Sequence, residues 1–286
     1  MSESRARASN ELKAGARDAR DDLAGQSYWD ETWSAEVLPP RLDPTRNGWR
    51  NHVEREFHRE LTAAFGELRT PRRLLEIGCA RSTFLPYLAH DFGFQVEGLD
   101  YSEVGAAQAR RLLAREGVPG SVTCADMFAP PSTLLGRFDV VVSFGVMEHF
   151  RDTADALRAA ARFLVPGGLL VTFVPNLAGV TGWLQKRMNP AVYAIHNPLD
   201  DRQLGAATTR AGLALVASRY VASSNFGVLN LVGVESAPGY GAKRRVYQLM
   251  CALSVAGWLV DERVVSVPRT RALSGYVLAV GRKPLT

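Results

Sequence analysis

The sequence predicts an α/β fold, a mostly parallel sheet with helices on both faces, preceded by a helical cap and carrying an insert before its last strand. Two observations support this. From Leu74 onward, short apolar runs alternate with stretches of helical spacing, the pattern left by right-handed crossovers between parallel strands. The first run, Leu74-Leu75-Glu76-Ile77, ends in Gly78-Cys79-Ala80-Arg81-Ser82 and passes into a helical pattern from Thr83 to His90, as a buried strand does when it turns sharply into a helix.

Residues 1–25 set Arg5, Arg7, Lys13, Arg17 and Arg20 against Glu3, Glu11, Asp18, Asp21 and Asp22. With few apolar groups they are expected to form a flexible, dispensable tail. Their acids argue against a transit peptide, and no apolar signal-peptide centre is present. Residues 26–70 are the expected cap. Ser27-Tyr28-Trp29-Asp30-Glu31-Thr32-Trp33 is too aromatic for polar disorder. Residues 46–68 read as a helix with Val53, Phe57, Leu61, Ala64 and Phe65 on one face, stopped before Pro71 and laid over the sheet edge or the ligand mouth.

Residues 71–286 form the expected core. Strand 2, 94–100, leads into a helix from the N-cap Ser102 to Glu116, closed by Gly117. Strands 3, 4 and 5 are placed at 121–125, 138–144 and 168–174, with Asp152 and Asp155 opening the helix before the last of them. A helix near 200–211 leads to strand 6 at 213–221, and strand 7 follows at 275–280. The insert, 222–272, is too long for a plain loop. Within it Val246, Leu249, Met250, Leu253 and Val260 have helical spacing, with Trp258 widening the stripe. A helix buried over the substrate pocket or in a homodimer contact is expected, ahead of one lying on a membrane surface.

With 47% hydrophobic and 22% charged residues, a chain of 286 residues can bury one full core with additions. Cys79, Cys124 and Cys251 show neither zinc spacing nor a disulfide framework, which fits a reducing cytoplasm. No metal is expected. No apolar run reaches spanning length. The net charge of +5 is dispersed, Lys243-Arg244-Arg245 being the densest cluster outside the tail, so a solvated surface is expected and not a nucleic-acid partner.

The turn after Ile77 presents backbone N–H groups and bare Cα atoms to a ligand, backed by the positive end of the next helix. Glu76, two residues before Gly78, would repel a pyrophosphate and suits an amine or a sulfonium. Asp100 closes strand 2, 22 residues after Gly78, the separation at which Rossmann-type folds place an acid on ribose hydroxyls. Ser102 already supplies the cap of the next helix, which leaves Asp100 for the ligand.

This segment resembles the first motif of the class I S-adenosylmethionine (SAM) dependent methyltransferases, acidic-x-Gly-x-Gly-x-Gly, with Ala80 and Ser82 in place of the second and third glycines. Phe138-Asp139-Val140-Val141-Val142-Ser143-Phe144 through Glu148-His149 looks like the strand 4 region of the small-molecule branch, and Pro166-Gly167-Gly168 into Val174-Pro175-Asn176 matches as well. The resemblance implies a Rossmann-like sheet of seven strands with the last antiparallel, and SAM as cofactor. It implies a cofactor site of Glu76, Gly78, Cys79, Ala80, Asp100, Tyr101, Asp126, Met127 and Phe144, with Asp126 on the adenine amine and Met127 over the ring.

His149 and Glu148 are the candidate bases, a structural Glu-His pair being the alternative. Tyr28, Trp33, Asn176, Trp183, Tyr193 and His196 are candidates for the acceptor pocket, against packing of the cap and of a short helix. The expected reaction is methyl transfer to a nitrogen or oxygen, with a lean to nitrogen, of a small ring-containing acceptor of natural-product type such as antibiotic biosynthesis supplies. A SAM-binding subunit without transfer activity is the rival. A nicotinamide oxidoreductase shares the fold, but two of the three glycines at dinucleotide spacing are missing. No Asn-Pro-Pro-aromatic motif for base methylation and no Gly-x-Ser-x-Gly for a serine hydrolase occurs.

Overall fold

The computed structural model describes residues 22–34, 37–46, 51–66 and 72–285. The tail 1–21 lies outside these residues, as do parts of the cap around 35–36, 47–50 and 67–71.

Five strands run parallel: β1 (Arg73–Ile77), β2 (Gln95–Asp100), β3 (Gly120–Cys124), β4 (Phe138–Phe144) and β5 (Leu164–Pro175). With β6 (Ala214–Val221) and β7 (Tyr276–Arg282) they make one seven-stranded sheet in the order β3-β2-β1-β4-β5-β7-β6. β7 is antiparallel to both of its neighbours. The order reverses direction between β1 and β4, which opens a crevice at the carboxyl edge of the sheet, where such folds bind ligands.

The helices are α1 (Gln26–Thr32), α2 (His52–Phe65), α3 (Phe84–Phe92), α4 (Glu103–Arg115), α5 (Thr153–Ala161), α6 (Val180–Met188), α7 (Pro190–Ala194), α8 (Asp201–Arg210) and α9 (Tyr240–Arg263). Their ends follow local chemistry. Ser102 accepts from the Gly105 N–H to cap α4, Asp152 accepts from Ala154 and Asp155 to cap α5, and Asp200 with Gln203 closes a capping box on α8.

Alternate residues of the central strands feed two cores. Leu75, Val141 and Leu170 pack under α5 and α8, while Leu74, Val140, Val142 and Val171 pack under α2, α3 and α4. Among the described residues no helix is long and apolar enough to cross a membrane.

Two placements narrow what the sequence left open. The cap helix α2 does not lie over the ligand mouth. Phe57 stacks on Phe173 at 4.4 Å and meets Tyr276 edge-on at 4.8 Å, so the helix covers the sheet face. The insert helix α9 turns Trp258 and Ser254 inward and leaves Val246, Leu249, Leu253 and Val260 exposed. An apolar period shows which side of a helix is apolar, not which side meets the protein. If α2 is part of the core, Phe57→Ala should cost about 3–5 kcal/mol of unfolding free energy in urea, as for other large buried aromatics. A loss under about 1 kcal/mol would return α2 to the role of a dispensable cap.

Candidate functional site

The turn after β1 needs glycine at its first position for two reasons. Gly78 has φ 71°, and a Cβ there would fall 2.4 Å from a methyl of Val146. Its N–H donates to the Leu99 carbonyl at 2.8 Å, and Arg81 completes the turn at φ 52°. Asp100 ties this turn to the next one. Its Oδ2 accepts from the Ala80 N–H and its Oδ1 from the Ser102 N–H, both at 2.9 Å.

Above these turns lies the N-terminal segment. Ser102 donates to Asp30 at 2.6 Å, Gln26 donates to the Tyr101 carbonyl at 3.0 Å, and the Tyr101 hydroxyl donates to Asp22 at 2.8 Å. Asp22 bridges to Phe150, and the Leu23 N–H donates to the His149 carbonyl at 2.8 Å. Residues 22–25, expected in the tail, are thus laced across the exits of β2 and β4.

Between segment and sheet is a cleft of ≈ 350 Å³, within the roughly 300–1,000 Å³ of small-molecule sites. Asp22, Glu76, Asp100, Asp126, Asp152 and Asp155 line it, with Arg81 as the one guanidinium among the described residues. That balance fits a cationic ligand. Burial pushes the Glu76 carboxyl up to about 8 against the pull of the Ser82 hydroxyl, and its Oε2 has no partner among the described residues. Burial also raises Asp100 to about 6, opposed by its two backbone N–H donors. A buried carboxylate without a counter-charge is costly, and an ammonium or sulfonium in the cleft would relieve that cost.

Of the residues named from sequence, Glu76, Gly78, Ala80, Asp100, Tyr101, Asp126, Met127, Phe144, His149 and Trp33 share this cleft. The rest are elsewhere. The Cys79 side chain is buried against β2, where a Cβ on Gly98 would lie 2.6 Å from its sulfur. Asn176 is fully buried and donates to the Arg271 and Ser274 carbonyls, pinning the loop before β7. Trp183 is 54% exposed under the Arg187 guanidinium, and Tyr193 lies beneath Lys186. Tyr28 meets Trp29 edge-on behind the wall.

The cleft also holds residues that the sequence did not mark as a site: Asp22, Trp29, Arg81, Phe128, Phe150, Asp152 and Asp155. Trp29 had a signal, the density of aromatics around it. Asp22 had none, being one acid in a run of balanced charges.

One end of the cleft is walled by Trp29 and Trp33, stacked at 5.6 Å and 16°, with the His149 ring edge-on to Trp29 at 4.9 Å. His149 Nδ1 donates to the Ile195 carbonyl at 2.8 Å, so the proton is on Nδ1 and the Nε2 lone pair is bare. Burial, then the neighbouring His196, lowers its pKa to about 3. Glu148 is behind it, outside the cleft wall, and burial raises its carboxyl to about 8. The Glu148–His149 approach is 3.9 Å, too long for a hydrogen bond. His196 bonds the Val192 carbonyl and packs on His149 at 4.5 Å and 51°. Glu148, His149 and His196 each offer one ligand atom, and these atoms lie within 4.8 Å of one another.

The profile of a methyltransferase-domain family matches residues 49–218. A ubiquinone biosynthesis O-methyltransferase of Caulobacter sp. (strain K31) is 34% identical over 114 residues, 39% of this chain and 45% of that one, so the match takes in less than half of that protein. Among solved structures, the cyclase SpnF superposes with a TM-score of 0.60 at 19% identity, covering 93% of this chain and 97% of that one. A geranyl diphosphate C-methyltransferase from Streptomyces coelicolor A3(2), in complex with Mg2+, geranyl diphosphate and S-adenosyl-L-homocysteine, does so at 0.58 and 17%, covering 90% and 97%. At those identities the likeness is one of fold.

Two outcomes follow from the cleft. Glu76 is protonated at pH 6.5, and a cationic ligand favours its ionised form, so binding of SAM should release about one proton and strengthen as pH rises toward 8. Calorimetry in buffers of differing ionisation enthalpy measures this, and Glu76→Gln should abolish the release. Asp22→Ala, which removes the anchor of Tyr101, should weaken SAM binding about tenfold, roughly 1.4 kcal/mol. Unchanged affinity would detach the N-terminal segment from the site.

Proposed function

This chain belongs to the class I SAM-dependent methyltransferases, matched over residues 49–218, and on that premise we propose that it methylates a nitrogen of a small, ring-containing acceptor. Membership sets aside a nicotinamide oxidoreductase. SAM is the cofactor, and the free, buried Glu76 Oε2 together with the acidic lining fits its positive charge. In this proposal Glu76 takes the ammonium group, Asp100 the ribose hydroxyls and Asp126 the adenine amine, with Met127 against the ring. Bound SAM supplies a methyl group already activated on sulfur. What remains for the protein is to align a nucleophile with it and keep water out.

The observation that carries the acceptor assignment is the pair of stacked indoles, Trp29 and Trp33, facing the cleft beside His149. Flat apolar walls suit a ring, and their π faces tolerate a cation. The lean to nitrogen rests on His149. With its pKa lowered to about 3, its neutral Nε2 can accept a hydrogen bond from an N–H and orient it, but it is a poor base for a hydroxyl. A neutral amine brings its own lone pair. The relative named an O-methyltransferase favours oxygen, the second reading.

A mass-spectrometric screen of ring-bearing amines and hydroxyl compounds decides between them. Amines should gain the methyl group, with His149→Ala within about tenfold of wild type and Trp29→Ala raising KM. A loss of a hundredfold or more in His149→Ala on the cognate acceptor would make His149 a general base and favour oxygen. A protein that binds SAM and methylates nothing would favour a role without transfer, for which the shared fold of a protein named a cyclase gives a precedent.

A further inference from the structure

Helix α9 is fixed to the fold along one side. Trp258 donates to the Ser224 carbonyl at 2.6 Å and stacks on His52 at 5.4 Å, and Ser254 accepts from the Phe226 N–H at 2.9 Å. On the far side, Ala242, Val246, Leu249, Leu253, Ala256 and Val260 follow at steps of four, three, four, three and four, and all six are exposed. Leu249 and Leu253 are exposed by more than half. That rhythm is the seam of a helix pair, narrower than the apolar face that a core or a bilayer requires.

We propose that this seam is the interface with a second copy of the chain, the two α9 helices packing antiparallel about a two-fold axis at the level of Cys251. The seam complements itself in that register. Leu249 meets the partner's Leu253, Val246 meets the partner's Ala256, and Ala242 meets the partner's Val260, so beyond the central leucines each large side chain faces a small one. A two-fold contact requires such reciprocity.

The charges agree. Lys243, Arg244 and Arg245 occupy the first turns of α9, where the dipole of their own helix disfavours cations. Arg244 and Arg245 are exposed and have no ion-pair partner among the described residues. Of these Arg245, four residues before Leu249, flanks the seam, and antiparallel packing lays it toward the partner helix's last turn, whose open carbonyls carry the negative end of its dipole. A bilayer is a poorer occupant, because no Lys or Arg flanks the stripe between Val246 and Glu262, where a surface-bound helix would place them. No residue of α9 lines the cleft, so the contact is independent of the methyltransferase reading.

Sedimentation equilibrium of the full chain at tens of micromolar should give twice the chain mass of 31.2 kDa. Leu249→Glu with Leu253→Glu should give the single mass while SAM affinity stays within twofold of wild type. Replacing both leucines by cysteine should, on mild oxidation, link position 249 to position 253 of the other copy. A monomeric wild type, a dimer that survives the two glutamates, or a 249–249 crosslink would overturn the proposal. So would a monomer that floats with phosphatidylglycerol vesicles, which would give the seam to a membrane.

Discussion

A single carboxylate joins the two turns from which the cleft is made. Asp100 ends β2, yet one of its oxygens holds the backbone of the turn after β1 and the other holds the start of the turn after β2. Neighbouring parallel strands share no hairpin, so nothing local fixes the spacing of their exits. Asp100 fixes it. Ser102, whose N–H it accepts, also caps α4 and donates to Asp30 of α1, so the roof of the cleft is referred to the same point as its floor. Each carboxylate oxygen keeps acceptor capacity beyond these bonds, the geometry that a pair of ribose hydroxyls can use.

The site concentrates groups that are uncomfortable when empty. Glu76 is buried with an oxygen unpaired among the described residues, and burial likewise holds His149 neutral. For Glu76 the folded value is above the unfolded one, so its contribution to stability is present below about 4.5 and lost as pH rises through about 8. A cationic ligand reverses that trend by stabilising the ionised form. Empty, the cleft is weak in just the pH range where the ligand binds best.

Much of this was legible because the signals were local. Ser102 and Gly117 bracket α4, apolar runs mark the strands, and Gly78 with Asp100 locates the crevice from spacing alone. Residues failed as predictors where their partners are distant. Asp22 acquires its role from Tyr101, 79 positions away, and no periodicity announces that. Asn176 follows a strand at the ligand edge, yet its side-chain NH2 is used up on the Arg271 and Ser274 carbonyls, nearly a hundred residues on. Trp183 and Tyr193 sit in a segment that sequence places near the acceptor, but α6 and α7 carry them under cationic side chains away from the cleft.

The alanine at position 80 stands where the resembling family has glycine, and α4 absorbs it. A Cβ on Gly105 would come within 2.5 Å of the Ala80 methyl, so the space that the motif gives up is recovered from the facing helix. The two positions therefore form an epistatic pair. A lineage can exchange which of them carries the methyl group only by passing through glycine at both, and directed evolution of this cleft that randomises position 80 while holding Gly105 never reaches the variants that carry the methyl group at 105.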